Sequence, residues 1–306
     1  MSENTPEISK RELENQIKSL KLELEDLKEE ESKSDYIHKL YDLALLQSEN
    51  NQFDESIKNL EECLKYYETN LDNLGKSSIF GSLGVVYYLN EDYNKSIKNY
   101  QSALEIYEKL NLKHEQIVCM KSIGLNLMKL NKLEEAINIF LECAELCSRE
   151  KKIEDFLDCI SNLVQIYEPQ KKWDVVIELY QKGLKAFEKL NDIKGIINSY
   201  FNLGIIYKKL NQYFEALNHF KKGTNLANES NYAESIIKGT SLIGEIYVKQ
   251  NQIKKATKEF IKSLSIAKKI KANNAEAQLK ILLNSMGLNS SQINIMLNEY
   301  ERELNS

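Results

Sequence analysis

Five cysteines, Cys63, Cys119, Cys143, Cys147 and Cys159, carry the most reactive chemistry in this sequence. Cys143 and Cys147 stand one helical turn apart, and Cys119 lies one full repeat of the pattern described below before Cys159. Four such thiolates could hold zinc. The packing reading is stronger, because Cys63 and Cys143 share a column of small residues in which a buried Cys acts as a small hydrophobe. An odd number of cysteines in a long chain fits reduced thiols of a cytoplasmic protein better than a disulfide framework. The histidines, His38, His114 and His219, fall in three separate segments. There is no Gly-rich phosphate loop, paired-carboxylate signature or His-x3-His zinc motif. Catalysis needs a convergent nucleophile, base and orienting group, so the chain reads as a non-enzyme with no cofactor and no metal site.

The remaining composition narrows the class further. At 306 residues the length prior is about two domains. Apolar residues make up 42% and charged residues 28%, enough for a packed core. With 2 Pro and 11 Gly the chain lacks the punctuation of β-sandwiches, collagen-like repeats and flexible linkers. The net charge is −5 and Arg11, Arg149 and Arg302 are the only arginines, which argues against nucleic acid as a partner. No stretch approaches the roughly 18 apolar residues of a membrane span, and Met1–Lys10 has no apolar signal-peptide core.

The elements that position these side chains are set by a 40-residue repeat. Phe53, Tyr93, Leu133, Trp173, Tyr213 and Ile253 recur at that period, each after a short turn such as Asn51-Gln52. The same step links Ala44, Gly84, Gly124, Val164, Gly204 and Gly244, and also Leu60, Tyr100, Phe140, Tyr180, Phe220 and Phe260. Phe80, Leu83, Gly84 and Tyr87 recur at helical spacing, and Tyr93, Ile97, Tyr100, Leu104 and Tyr107 do so after the turn. Each unit is therefore two antiparallel helices, near 74–89 and 92–109 in the second copy. The small residues Gly84, Ser96 and Ala103 let the two backbones approach, with large residues on either side.

Phe80-x2-Leu83-Gly84-x2-Tyr87 followed by Ser96-x3-Tyr100, and Tyr200-x2-Leu203-Gly204-x2-Tyr207 followed by Ala216-x3-Phe220, resemble the tetratricopeptide repeat signature. The resemblance is to the longer-repeat branch of kinesin light chains, spindle-orientation adaptors and Rap-type regulators, since the period is 40 rather than about 34. The extra residues are expected to lengthen the second helix and its exit loop. Pro169 falls in the turn of the fourth unit, where it ends a helix. The resemblance implies an all-α, right-handed α-solenoid superhelix of six helix-turn-helix units, with an N-terminal helix and C-terminal capping helices. The expected division is 1–33 for a heptad-patterned helix, 34–272 for the repeats and 273–306 for the capping helices.

At the N-terminus Leu13, Ile17, Leu20, Leu24 and Leu27 step by heptad spacing, flanked by charges that run through Lys28 to Glu29–Glu31. This seam is either a homodimerising coiled coil or a helix that covers the first repeat. At the other end Ala275–Met286 and Ser290–Leu304 read as two helices split by Gly287.

Arrays of this family line their concave wall with the first helices. Opposite the packing face of those helices lies a stripe bearing Tyr41, Leu45, Val85, Tyr88, Lys121, Leu125 and Met128 in the first half. In the second half it bears Gln165, Asn198, Phe201, Ile205, Lys208 and Lys238. Asn162 and Asn202 occupy the position from which, in resembling families, an amide bonds the main chain of an extended peptide. The reading is a protein–protein adaptor that holds a peptide or helix of a partner in this groove. The alternatives are a peptide-responsive regulator of the Rap type and a structural oligomer built through the N-terminal seam.

Overall fold

The computed structural model describes residues 10–27 and 33–305, so Lys28 and the acidic run 29–31 lie outside the described residues. Among the described residues there are fifteen helices and no strand. An N-terminal helix α1 (Lys10–Leu27) precedes α2 (Lys33–Glu49) and α3 (Phe53–Thr69), then α4 (Asn73–Leu89) and α5 (Tyr93–Lys109). Next come α6 (Lys113–Lys129) and α7 (Leu133–Arg149), then α8 (Ile153–Tyr167) and α9 (Trp173–Leu190). The last repeats are α10 (Ile193–Lys209) with α11 (Tyr213–Glu229) and α12 (Ala233–Lys249) with α13 (Ile253–Lys269), followed by α14 (Asn273–Ser285) and α15 (Ser290–Asn305). The all-α reading and its six helix pairs therefore hold. The chain divides into two compact units within α8, the first ending at Leu163 and the second starting at Val164.

A period of half a repeat governs the backbone. Asn51, Leu71, Glu91, Asn111, Asn131, Lys151, Lys171, Asn191, Asn211, Asn231, Asn251 and Lys271 all have left-handed φ, and successive members are half a repeat apart. At each, two hydrogen bonds close the helix that has just ended: Gln52 N–H donates to the Gln47 carbonyl at 2.8 Å and Asn51 N–H to that of Ser48 at 3.1 Å. This is a Schellman closure, which satisfies carbonyls that the helix leaves open. The turn within a unit and the turn between units are thus the same device. Both helices of the second unit have 17 residues. The residues beyond the common period are therefore shared by both halves, not confined to the second helix and its exit loop as expected from sequence. Asp72, Asp92 and Asp192 complete the device by capping the following helix, the last accepting from Gly195 N–H at 3.1 Å.

Ring-into-glycine packing joins the helices of a pair. A Cβ on Gly84 would lie 2.8 Å from the Tyr100 ring, and one on Gly124 2.6 Å from Phe140. In the second unit the corresponding approaches are 2.4 Å for Gly204 to Phe220 and 2.5 Å for Gly244 to Phe260. Each glycine thus makes room for a ring carried by the second helix of its own pair, rather than only letting backbones approach. Polar contacts lock the same junction, with Ser96 Oγ donating to the Gly84 carbonyl at 2.7 Å and Ser56 Oγ to that of Ala44 at 2.6 Å.

The N-terminal seam is used within the chain. Leu13, Ile17 and Leu24 are buried in one cluster with Ile37, Leu40, Leu43 and Leu60, and Leu20 packs against it. Lys39 of α2 bonds Glu23 of α1. Of the two uses the sequence leaves open for this seam, the structure shows α1 covering the first repeat. At the far end Leu279, Leu283, Ile293 and Leu297 close the core against Phe260 and Leu264. Gly287 turns the chain between α14 and α15 with φ 92°.

Two substitutions test this frame. Helix propensity alone favours alanine over glycine by about 1 kcal/mol. Gly204→Ala should nonetheless destabilise by about 1–3 kcal/mol in chemical denaturation, because the fully buried Phe220 ring has nowhere to move. Adding Phe220→Leu should recover part of the loss, and an unchanged midpoint for Gly204→Ala would refute the packing. Leu71 is 86% exposed at φ 55°, so Leu71→Asn should gain about 1 kcal/mol, the order of the left-handed penalty for an ordinary side chain, read as a higher unfolding midpoint.

Candidate functional site

The outer stripe of the first helices holds most of the candidate residues. In the first unit Val85 on α4 is 45% exposed, and Val118 and Leu125 on α6 are 45% and 39% exposed. Tyr41, Leu45, Tyr88 and Met128 are half-buried beside this stripe. Helical spacing places Val118 and Leu125 two turns apart on one face, and Val85 is the equivalent of Leu125 one repeat earlier. The face runs on from helix to helix, since Tyr41 Oη meets Ser82 Oγ of α4 at 2.9 Å. The Tyr88 ring stands edge-on to Tyr93 with centroids 5.7 Å apart, which fixes its direction.

Lys121 is not an open cation on this face. Its ammonium reaches Asp155 Oδ1 at 2.9 Å and Asp158 Oδ2 at 2.5 Å on α8. Burial opposes its charge, but the hydrogen bonds it donates to Asp158 and Asp155 win and hold its pKa above the usual lysine value. Asn162 donates from Nδ2 to the Asp158 carbonyl of its own helix at 2.9 Å, leaving Oδ1 for a partner.

In the second unit Phe201 departs from the sequence expectation. It is 0% exposed, and its ring fills the space over Gly223 and Gly239, where added Cβ atoms would lie 2.7 and 2.9 Å away. Phe201 is core and cannot line a groove. Gly223 and Gly239 were the signal in the sequence, as two small residues that make room for one ring. Asn198 and Lys238 are exposed, while Asn202, Ile205 and Lys208 are half-buried. The Lys238 ammonium lies 5.5 Å from the Phe201 centroid, and Lys208 bonds Glu245 of α12. Gln165 lines a shallow pocket with Glu168, Pro169, Trp173 and Lys209. There Lys209 bonds Glu168 and sits 5.4 Å from the Trp173 ring centroid, a contact that the place of Trp173 in its turn column does not reveal.

Three of the four candidate cysteines meet. The sulfurs of Cys143, Cys147 and Cys159 lie within 4.8 Å of one another, and all three residues are fully buried. Cys119 does not join them. Cys143 donates to the Ile117 carbonyl at 3.8 Å, as Cys63 does to Ile37 at 3.6 Å and Ser263 to Ile237 at 3.3 Å. Ala103, Gly183 and Gly223 hold the same column without a side-chain donor, so small size is what the position shares. Burial pushes the Cys63 and Cys119 thiols up to about 12.

The histidines do not converge. His38 and His114 are exposed on separate helices of the first unit. His219 is half-buried and stacked on Tyr207 with centroids 5.3 Å apart and planes 10° apart, and its Nδ1 has no partner. Burial, with Lys222 adding to it, lowers the His219 pKa below its ordinary value. The fold therefore holds the neutral ring, and stability should fall as pH drops through about 6.5, where the unfolded histidine takes a proton. His219→Asn, which places there the residue found at Asn59 and Asn99, should flatten the thermal midpoint between pH 7.5 and 5.5 relative to wild type.

Family models described as tetratricopeptide repeat match residues 75–149 and 157–229, and a second such model matches 40–70 and 241–270. No curated protein matches the chain. Among solved structures the chain is similar to BtubC from P. vanneervenii, with a TM-score of 0.55 at 18% identity over 72% of this chain and 92% of that one. It is similar to the apo form of RapI, with a TM-score of 0.52 at 19% identity over 88% of this chain and 98% of that one. It is also similar to a signal transduction ATPase with numerous domains and a tetratricopeptide repeat sensor from Pyrococcus horikoshii. That match has a TM-score of 0.55 at 19% identity and covers 89% of this chain but 44% of the other. These likenesses are of fold.

Proposed function

Because the chain belongs to the tetratricopeptide repeat family, we propose that it is a non-catalytic cytoplasmic scaffold that holds an apolar peptide or helix of a partner protein. The observation that carries this reading is the row of exposed aliphatic side chains, Val85, Val118 and Leu125, on the outer stripe of α4 and α6. Apolar side chains grouped on a solvent-facing wall mark an interaction surface, and a few of them carry most of the affinity. Tyr88 and Met128 flank the row, with Tyr41 and Leu45 continuing it onto α2. Ion pairing of Lys121 with two aspartates leaves that cluster with one net negative charge, which disfavours an acidic segment on the same face. Asn162 Oδ1 would accept from the partner's main chain.

The second unit offers a more polar face of its own through Asn198, Asn202, Ile205 and Lys238. Lys208, tied to Glu245, contributes less charge there than its type alone suggests. Among the described residues no helix is long and apolar enough to cross a membrane.

The test begins with a partner captured by the wild-type chain from native lysate and identified by mass spectrometry. Leu125→Asp should weaken that purified partner by at least about tenfold, since a carboxylate would have to be desolvated against the ligand. Helix content and melting should stay as in wild type, because Leu125 is already open to solvent. Lys98→Ala, on the exposed side of α5, should bind as wild type does. Equal binding by Leu125→Asp, Val85→Asp and wild type would refute the aliphatic face as the site.

A further inference from the structure

The cysteine cluster is richer in sulfur than the packing of its repeat requires. Position 147 is equivalent to Tyr67, Tyr107 and Phe187, and to the smaller Ala227 and Ala267, in the other repeats. In two of these the ring fills the space over a glycine at the start of the next helix, with Gly75 and Gly195 lying 2.3 and 2.1 Å from the rings by their missing Cβ atoms. Here both partners are exchanged together: the ring becomes Cys147 and the glycine becomes Asp155. Removing the ring opens the space into which Cys143 and Cys159 also point. Cys143 and Cys159 each stand in a column of small residues, Cys159 with Cys119, Ser199 and Gly239, and the exchange at 147 is what brings their sulfurs together with a third.

We propose that Cys143, Cys147 and Cys159 bind a single Cu(I) ion in a trigonal thiolate site between α7 and α8. A metal–thiolate bond of about 2.3 Å places three coplanar sulfurs about 4 Å apart, which the observed separations of at most 4.8 Å accommodate with little movement. Zinc asks for a fourth donor in a tetrahedron. Among the described residues no further His, Cys, Asp or Glu atom joins the group, and Asp155 is already bonded to Lys121. Three soft sulfurs without a fourth ligand, in a dry site, select Cu(I) over harder divalent ions. As the ion enters, each thiol still protonated releases its proton to solvent, and no electron changes hands. Lys121 stands close enough for its charge to act on Cys147 and Cys159, offsetting part of the negative charge of the site.

The reduced full chain is titrated anaerobically with Cu(I) against bicinchoninate, both as the native protein and after refolding with the ion present, since the sulfurs are buried. One Cu(I) per chain should be withheld from the competitor, and X-ray absorption should show three sulfur neighbours at one distance. Cys147→Ser and Cys159→Ser should each lose at least about 100-fold in affinity, the upper end of what losing a mere outer partner costs. Cys63→Ser and Cys119→Ser should bind as wild type. If the serine variants at the cluster fail to fold, the wild-type stoichiometry and sulfur count still decide. Failure to retain Cu(I) by either route would overturn the site. So would equal loss in Cys119→Ser, a two-sulfur spectrum, or oxidation of the trio to a disulfide with no copper held.

Discussion

The ring of Tyr100, Phe140, Phe220 or Phe260 lies where the first helix of its pair has no Cβ, and the rest of the architecture follows from that fit. A ring seated on a glycine fixes the distance between two helices and also their rotation about their own axes. Once rotation is fixed, the stripe that carries Val85 and Leu125 must face outward. The Ser96 hydroxyl bonded to the Gly84 carbonyl adds a directional contact at the same junction. Dense packing tolerates no change of one methylene without a response, so the fit acts as a register as well as a source of stability.

Charge is handled along the outer stripe by pairing between successive first helices. Lys121 reaches forward to Asp155 and Asp158, and in the second unit Lys208 reaches Glu245 while Lys209 reaches Glu168. Partly exposed pairs of this kind add little stability. Their effect is to leave the aliphatic side chains as the unsatisfied feature of the first unit's face. Binding by desolvation of Val85, Val118 and Leu125 then needs no counter-charge from a partner.

Much of this was legible in the sequence, and the failures have physical causes. The repeating columns of glycine and large residues were visible because packing restricts residue type at both ends of the contact. The half-repeat period of the backbone was only half visible: Asn holds seven of the twelve left-handed positions, but Lys, Glu and Leu71 at the others break the column. Phe201 was placed on the groove because a helical stripe has an edge, and position 201 lies on the side that turns inward over Gly223 and Gly239. Lys121 and Lys208 read as free cations because their acids are distant in sequence, on the next first helix. Cys119 and Cys159 share a column, yet only Cys159 meets Cys143 and Cys147, since the third sulfur depends on a lost ring at position 147.

The uniform turn at every half-repeat carries a consequence for how such a chain can change length. A duplication or loss of one whole repeat inserts or removes a complete pair and keeps each large residue opposite the small column that receives it. A change of half a repeat would join the backbone just as smoothly, since the turns on both sides are the same, but it would exchange first helices for second. Rings would then face rings, and the outward stripe would be presented by the wrong set of helices. Backbone continuity therefore permits two recombination lengths, and side-chain fit retains one. Growth or shrinkage of the array by whole pairs is the change that leaves the aliphatic face uninterrupted.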